Sequence, residues 1–293
     1  VFLLRADPML DATLILQHWW VFPAAIAFAT LAIGSGVSGA LFFSPFFMFV
    51  VGLEPAQAIG AGLLTEVFGM GNGLRSYVRQ KVVDYATAKW LLLGAVPAIV
   101  AGALLSSMVP SLILKAIFGA GLVVLAGFLL FFPAPEAGAE GEREGPLLRK
   151  KSAEKGETVI ETRDGEVYRY PTCWRPPGVG MAAGGGLITG MISAGLPEIV
   201  TAQLVLRCRV PPRVAIATSV FVLAITAAVG AVVHAFSAQP VWYVVIWSVP
   251  GVLIGSAIGS RVGKYLPADL MEKVLGSIFA LVGIGVLVLE FVI

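Results

Sequence analysis

The chain has 293 residues, 58% of them hydrophobic and 13% charged, with a formal net charge of +2. Soluble domains carry about a quarter charged residues, so this composition excludes an ordinary soluble fold, and the small net charge gives no footing for a nucleic-acid partner. A closed β-barrel is excluded as well, because the long apolar runs lack period-two alternation.

Residues 1–20 (VFLLRADPMLDATLILQHWW) include Asp7 and Asp11 and show no clear small-residue cleavage site. They read as an amphipathic N-terminal lead-in, with Trp19 and Trp20 at headgroup depth. Residues 21–132 form a first transmembrane repeat. It opens on an apolar segment broken at Gly34-Ser35-Gly36-Val37-Ser38-Gly39. Each arm of that segment has about 13 residues, or about 20 Å as helix, enough to pass the midplane of a bilayer but not to cross it. Spans follow at 56–74, 86–108 and 111–132, each near the roughly 20 apolar residues that cross hydrocarbon.

Residues 133–177 are a polar linker, from PAPEAGAEGEREG through RKKSAEKGE, with a small β-hairpin predicted around Asp164-Gly165. Residues 178–293 form a second transmembrane repeat. It opens on a segment broken at Gly190-Met191-Ile192-Ser193-Ala194-Gly195, with Pro197 in the first turn of the second arm. Further spans are predicted at 214–235, 241–260 and 271–292. Cys173 and Cys208 have neither CxxC spacing nor a histidine cluster, so two free thiols are expected and no metal site. His18 and His234 stand alone near span ends, where an interfacial position is expected.

The halves resemble each other. EPAQAIGAGLL (54–64) aligns with PPRVAIATSVF (211–221), and Pro110 and Gly119 match Pro267 and Gly276 at the same offset. Ser38 matches Ser193, and Pro97 matches Pro250, within a few residues of that offset. Basic residues then set the orientation, since they favour the cytoplasmic side. If each broken segment is a hairpin that enters and leaves on one face, 18 of the 20 Lys and Arg fall inside, leaving only Arg5 and Lys115 outside. The fold predicted is therefore an all-α polytopic membrane protein with two inverted-topology repeats, each a re-entrant helical hairpin plus three transmembrane helices. The linker is placed in the cytoplasm and both termini outside an inner membrane.

Two hairpin tips facing each other would aim two helix N-termini at one place, with free N–H groups and positive dipole ends. Such an arrangement holds anions. Ser38 and Ser193 are expected as N-caps of the second arms. The candidate substrate-binding residues are Gly36, Ser38, Gly39, Ala40, Ser193, Ala194 and Gly195 at the tips, with Thr65, Thr218, Ser219 and Gln203 lining the same cavity. Intramembrane carboxylates are functional candidates in their own right, so Glu66 and Glu198 are assigned to proton coupling or gating, together with Asn72, which could line the same cavity, and Arg75 at the cytoplasmic mouth. No cofactor is expected. The partners are a small anionic substrate, the bilayer and protons, and the sequence leaves the oligomeric state open. No nucleophile motif or paired histidines suggest an enzyme.

GSGVSGALFFSPFFMFVVGLEPAQAIGAGL followed by YVRQKVVDYATAKWLLLGAVPAIVAGALLSS resembles the TauE/SafE family of sulfite exporters. So do GLITGMISAGLPEIVTAQLVLRCRVPPRVAIATSVF and VPGVLIGSAIGSRVG in the second half. The resemblance covers about 20–132 and 178–292 and implies export of sulfite or a small organosulfonate from the cytoplasm by alternating access. The residues alone also allow uptake of thiosulfate or another small anion, or a cation carrier using Glu66 and Glu198.

Overall fold

The computed structural model describes residues 12–35, 38–131, 157–238, 241–262 and 268–291. The start of the lead-in, residue Gly36, most of the polar linker and the side chain of Asn72 lie outside the described residues. The first half contains α1 (Ala12–Gln17), α2 (Val21–Ser35), α3 (Ala40–Pro45, running on through a π turn, Phe46–Val50), α4 (Pro55–Gln80), α5 (Tyr85–Met108) and α6 (Ser111–Phe131). Strands β1 (Glu157–Glu161) and β2 (Val167–Pro171) follow. Then come α7 (Arg175–Ile192), α8 (Leu196–Ala202, continued by a π turn, Gln203–Arg207), α9 (Pro212–Ser237), α10 (Trp242–Val262) and α11 (Ala268–Phe291).

Three helical segments among the described residues are long and apolar enough to cross a membrane: Tyr85–Met108, Pro212–Ser237 and Trp242–Gly259. Helix α4 is longer than a span needs at 26 residues, but Glu66 in its interior and Arg75 and Arg79 near its end dilute its apolar character. Helices α6 and α11 have 21 and 24 residues around shorter apolar cores. Large apolar side chains cover the outside: Met108, Val124, Phe131, Phe236 and Leu281 are all at least 74% exposed. An apolar exterior of this extent belongs in lipid, not water. The chain is a multi-pass helical membrane protein.

Element boundaries recur between the halves. Pro55 and Pro212 open α4 and α9 at the first helical turn, where the missing N–H has no intrahelical partner to lose. The π turns Phe46–Val50 and Gln203–Arg207 stand at equivalent places. In the first, Pro45 removes one helical N–H, which a π turn accommodates. Each is followed by a left-handed residue at the equivalent position, Gly52 (φ 81) and Arg209 (φ 54).

The main helix pairings also recur when the halves are exchanged. Helix α5 packs along α7 as α10 packs along α2, while α6 packs on α11 and α4 on α9. The glycines show this atom by atom. A Cβ on Gly119 would lie 3.2 Å from the Gly283 carbonyl and 3.1 Å from Leu287; one on Gly276 would lie 3.4 Å from the Ala126 carbonyl and 2.7 Å from Leu130. These are one contact made twice by equivalent residues. Gly94 against the Val179 carbonyl repeats as Gly251 against the Phe22 carbonyl. Reciprocal contacts of this kind arise across a two-fold axis.

The β-hairpin pairs β1 with β2 in antiparallel register, Thr158 opposite Tyr170 and Ile160 opposite Tyr168, around Gly165 at φ 83. It straps the halves together. The Arg163 amide donates to the Gln80 carbonyl at 3.0 Å. Arg213, at the start of α9, donates to Glu166 at 2.9 Å and to the Gln80 side chain at 2.7 Å. Asp84 caps α5 by accepting from the Thr87 amide at 3.0 Å and also accepts from the Tyr170 hydroxyl at 2.9 Å. Burial first, and the Asp84 charge second, push the Tyr170 phenol well above its ordinary range, so it stays a donor. Tyr170→Phe is expected to lower stability by about 1–3 kcal/mol, because it withdraws a donor from a buried carboxylate. Thermal unfolding in detergent checks this, and an unchanged Tm counts against the hairpin being docked.

The structure corrects the expectation for the cysteines. Cys173 and Cys208 are not free thiols but a disulfide, with Cα atoms 5.2 Å apart and a sequence separation of 35. Cys173 precedes α7, and Cys208 ends the return arm of the same hairpin. The antiparallel arms bring the two sulfurs together, a proximity that local spacing does not register.

Candidate functional site at the hairpin tips

The first tip is Ser38-Gly39-Ala40, where α3 begins. Gly39 is the N-cap and no side chain caps the helix. The Ser38 hydroxyl donates instead to Glu66 Oε1, from α4. Ser38 is therefore not the N-cap the sequence suggests: its hydroxyl binds a carboxylate of another helix. The amides of Gly39 and Ala40 face the same Glu66 carboxylate. Glu66 is 1% exposed, and its Oε2 has no hydrogen-bond partner.

The second tip is built differently. Ser193 ends α7 in the left-handed conformation at φ 56, with its amide donating to the Thr189 carbonyl at 2.7 Å. It is a C-cap, not the expected N-cap. Its hydroxyl donates to the Ile192 carbonyl at 2.6 Å and meets the Ser44 hydroxyl of the first hairpin at 2.5 Å. Gly195 is the N-cap of α8 at φ 110, a conformation that glycine adopts without strain. Pro197 lies in the first turn of α8, as expected. The Glu198 carboxylate reaches back to accept from the Gly195 amide at 3.2 Å, the return half of a capping box. The Leu196 amide donates to the Thr189 hydroxyl at 2.9 Å, and His234 Nε2 donates to the Gly190 carbonyl at 3.0 Å.

The two tips meet. Besides the Ser44–Ser193 contact, the Ser38 amide faces the Glu198 carboxylate, and Glu66 and Glu198 lie within electrostatic reach of each other. One carboxylate from each half thus converges on the N-terminal amides of α3. The glutamates are not repeat mates, since Leu223 and Leu41 occupy the equivalent positions. Two of the donors around the expected anion cradle, the Ser38 hydroxyl and the Gly195 amide, are engaged by the protein's own carboxylates. Ala194, Gly195 and Glu198 also border a cavity of about 340 Å³ beside α6, whose other walls, among them Val124, Ile188 and Ile192, are apolar.

The other candidates lie elsewhere. Thr65 neighbours Glu66 in sequence, but its hydroxyl bonds the Ala61 carbonyl and the Ser248 hydroxyl of α10, each at 2.8 Å. Thr218 accepts from the Asp84 amide at 3.0 Å, at the α4–α5 turn. Ser219 pairs with Thr201 at 2.7 Å between α9 and α8. Gln203 lies in the π turn next to the disulfide, donating to the Gly178 carbonyl at 3.4 Å. Arg75 lines an open cavity of about 630 Å³ with Arg79, Arg163 and Asp164, under the β-hairpin.

Sequence reasoning missed Ser44, Ser248 and His234. Ser44 sits where Gly62 leaves no room for a side chain of its own: a Cβ there would lie 2.2 Å from the Ser44 oxygen. Its repeat mate is Thr201, which faces Ser219, the mate of Gly62. That equivalence is the signal in the sequence that would have found it. His234 is 1% exposed and braces the second tip, so the interfacial position expected for it is corrected. His18 packs on Tyr243 at 4.8 Å between ring centroids, near the Trp residues of the lead-in.

A lipid-facing helical protein built from two interlocked halves, with polar groups gathered where broken helices meet, has the architecture of a membrane transporter. The chain belongs to the family described as "Sulfite exporter TauE/SafE", whose profile matches residues 21–286. It is also similar to the "Probable membrane transporter protein YunE" of Bacillus subtilis (strain 168), at 24% identity over 258 residues, covering 85% of this chain and 89% of that protein. No solved structure matches it. The protein is a membrane transporter, not an enzyme.

Proposed function

We propose that this transporter exports a small sulfur oxyanion, sulfite or an organosulfonate, across the cytoplasmic membrane by alternating access of two inverted repeats. The observation that carries this reading is the meeting of the two hairpin tips, through the Ser44 and Ser193 hydroxyls, beside the Glu66 carboxylate that holds the Ser38 hydroxyl. Backbone breaks at membrane depth are tolerated where they are buried in protein or line a water-filled cavity, which suits a substrate path, and the family description supplies the substrate class. The length of the first hairpin's entry arm supports re-entry. Helix α2 has 15 residues, about 22 Å, against about 30 Å of hydrocarbon.

The substrate anion competes with Glu66 for the Ser38 hydroxyl and takes the neighbouring tip amides. As it binds, the carboxylate loses donors that neutralise it and takes up a proton, because an unpaired charge in an apolar surrounding is costly. Anion and proton then bind together and move in the same direction. The cavity carrying Arg75, Arg79 and Arg163 gathers anions at the cytoplasmic mouth. The paired carboxylates equally suit a cation, so Na⁺ belongs among the test ions.

Flux in proteoliposomes tests the reading, with sulfite compared against sulfate, thiosulfate and Na⁺. Sulfite is expected to move fastest. Ser38→Ala is expected to slow it by roughly ten- to a hundredfold, the range of one hydrogen bond to a charged partner at about 1.5–3 kcal/mol. Ser193→Ala removes the tip-to-tip contact and is expected to slow it less. Wild-type flux in both variants refutes the site.

A further inference from the structure

The disulfide lies away from the tips, in a setting with chemistry of its own. It borders a cavity of about 200 Å³ lined also by Trp90, Arg175, Gln203 and Arg207. The Arg207 guanidinium donates to the Trp174 carbonyl at 2.9 Å and lies across the sulfur pair, with Nη2 3.2 Å from Cys173 Sγ and 3.7 Å from Cys208 Sγ. Arg175 stacks over Trp90 at 4.6 Å from the ring centroid. Cys173 is partly exposed, whereas Cys208 is 4% exposed. Gln203 is 3% exposed, and its Oε1 is a buried acceptor without a partner at the same cavity.

We propose that this cavity is a sulfite-reactive site in which the Cys173–Cys208 disulfide is opened by sulfite. Two cations and an accessible sulfur suit an anionic nucleophile. The sulfite sulfur attacks Cys173 Sγ with its lone pair and forms a new S–S bond. The Cys173–Cys208 bond breaks, and its electron pair leaves on Cys208 as a thiolate. The products are an S-sulfonate on Cys173 and a thiolate on Cys208: sulfite is itself the two-electron reductant, its sulfur oxidised as the Cys208 sulfur is reduced, and no further co-reactant is needed. Arg207 stands beside the departing sulfur, and a cation there makes the thiolate a better leaving group. Attack by the Cys208 thiolate on the S-sulfonate expels sulfite and restores the bond, so occupancy follows sulfite concentration.

The position gives the reaction a consequence. The bond clamps the start of α7 to the end of the return arm of the second hairpin. Opening it frees the base of the hairpin whose tip carries Ser193 and Glu198. On the cytoplasmic face, where cellular reductants act on disulfides, such a bond suits a responsive element better than a permanent staple. The choice of sulfite rests on the proposed function, but the reaction is read without transport.

Purified full-length protein is incubated with sulfite, and in parallel with sulfate and thiosulfate, then analysed by intact mass and peptide mapping. The expected result with sulfite is one added SO₃ group on Cys173 and one new thiol on Cys208, with no adduct from sulfate. Arg207→Gln is expected to slow the reaction by roughly tenfold, the effect of one charge-assisted contact. Arg207→Lys, which keeps the charge, is expected to fall between. Three results overturn the proposal: free thiols on both cysteines before treatment, no adduct, or an adduct formed equally fast in wild type and Arg207→Gln. An adduct without sulfite flux upholds this site while refuting sulfite as the cargo, and flux without an adduct does the reverse.

Discussion

Glu66→Gln and Glu198→Gln are expected to separate sulfite movement from proton movement. In vesicles with a trapped pH indicator, outward sulfite flux through the wild-type protein is expected to carry protons out and make the lumen alkaline. Glutamine keeps the size and the acceptor oxygen of glutamate but does not exchange a proton near neutral pH. Glu66→Gln is therefore expected to abolish the lumenal pH change, to the level of protein-free vesicles, while leaving residual sulfite flux. Glu66 is the more severe position because it is fully buried and holds the Ser38 hydroxyl. Glu198 lies at the edge of the apolar cavity and caps its own helix through Gly195. Its replacement is expected to cost less coupling and to loosen the second tip. An undiminished pH change in both variants refutes proton coupling through these residues.

The second large effect is structural. A Cβ on Gly102 would lie 2.3 Å from the Leu187 carbonyl, and one on Gly190 would lie 2.5 Å from the Ile99 carbonyl. Helices α5 and α7 thus interlock through glycines on both sides. Overpacking costs about 1–3 kcal/mol when side chains can give way; here the obstacle is backbone, so a whole helix must move. Gly102→Leu and Gly190→Leu are expected to abolish folded, monodisperse protein in detergent. Gly71→Leu is the control, because a Cβ there meets nothing within 4 Å. Wild-type yields for Gly102→Leu overturn the packing described.

Much of this architecture is legible in the sequence, for physical reasons. Glycine, serine and proline inside apolar runs mark where helices break, and the breaks at 34–39 and 190–197 stand at the ends of α2 and α7. Prolines 55 and 212 announce helix starts because proline suits the first turn. What the sequence hides are contacts between residues distant along the chain. Ser38 and Ser193 read as caps, yet one hydroxyl goes to Glu66 and the other to Ser44. Thr218 and Gln203 share an apolar neighbourhood with the other candidates but sit on surfaces turned toward Asp84 and the disulfide. Helix rotation decides these assignments, and one helical step carries a side chain through about 100°. The reach of Glu66 to the Ser38 hydroxyl of the first hairpin tip is hidden for the same reason.

The central claim, that the two hairpins enter from opposite faces and return, is tested most directly by labelling with a membrane-impermeant thiol reagent. In a background carrying Cys173→Ser and Cys208→Ser, single cysteines replace Trp19 and Glu54, which flank the first hairpin, and Trp174 and Arg209, which flank the second. The expected result is labelling of Trp19→Cys and Glu54→Cys from outside the cell, and of Trp174→Cys and Arg209→Cys only from the cytoplasmic face. Labelling of either flanking pair from opposite faces would mean that its hairpin crosses the membrane, and would contradict the account.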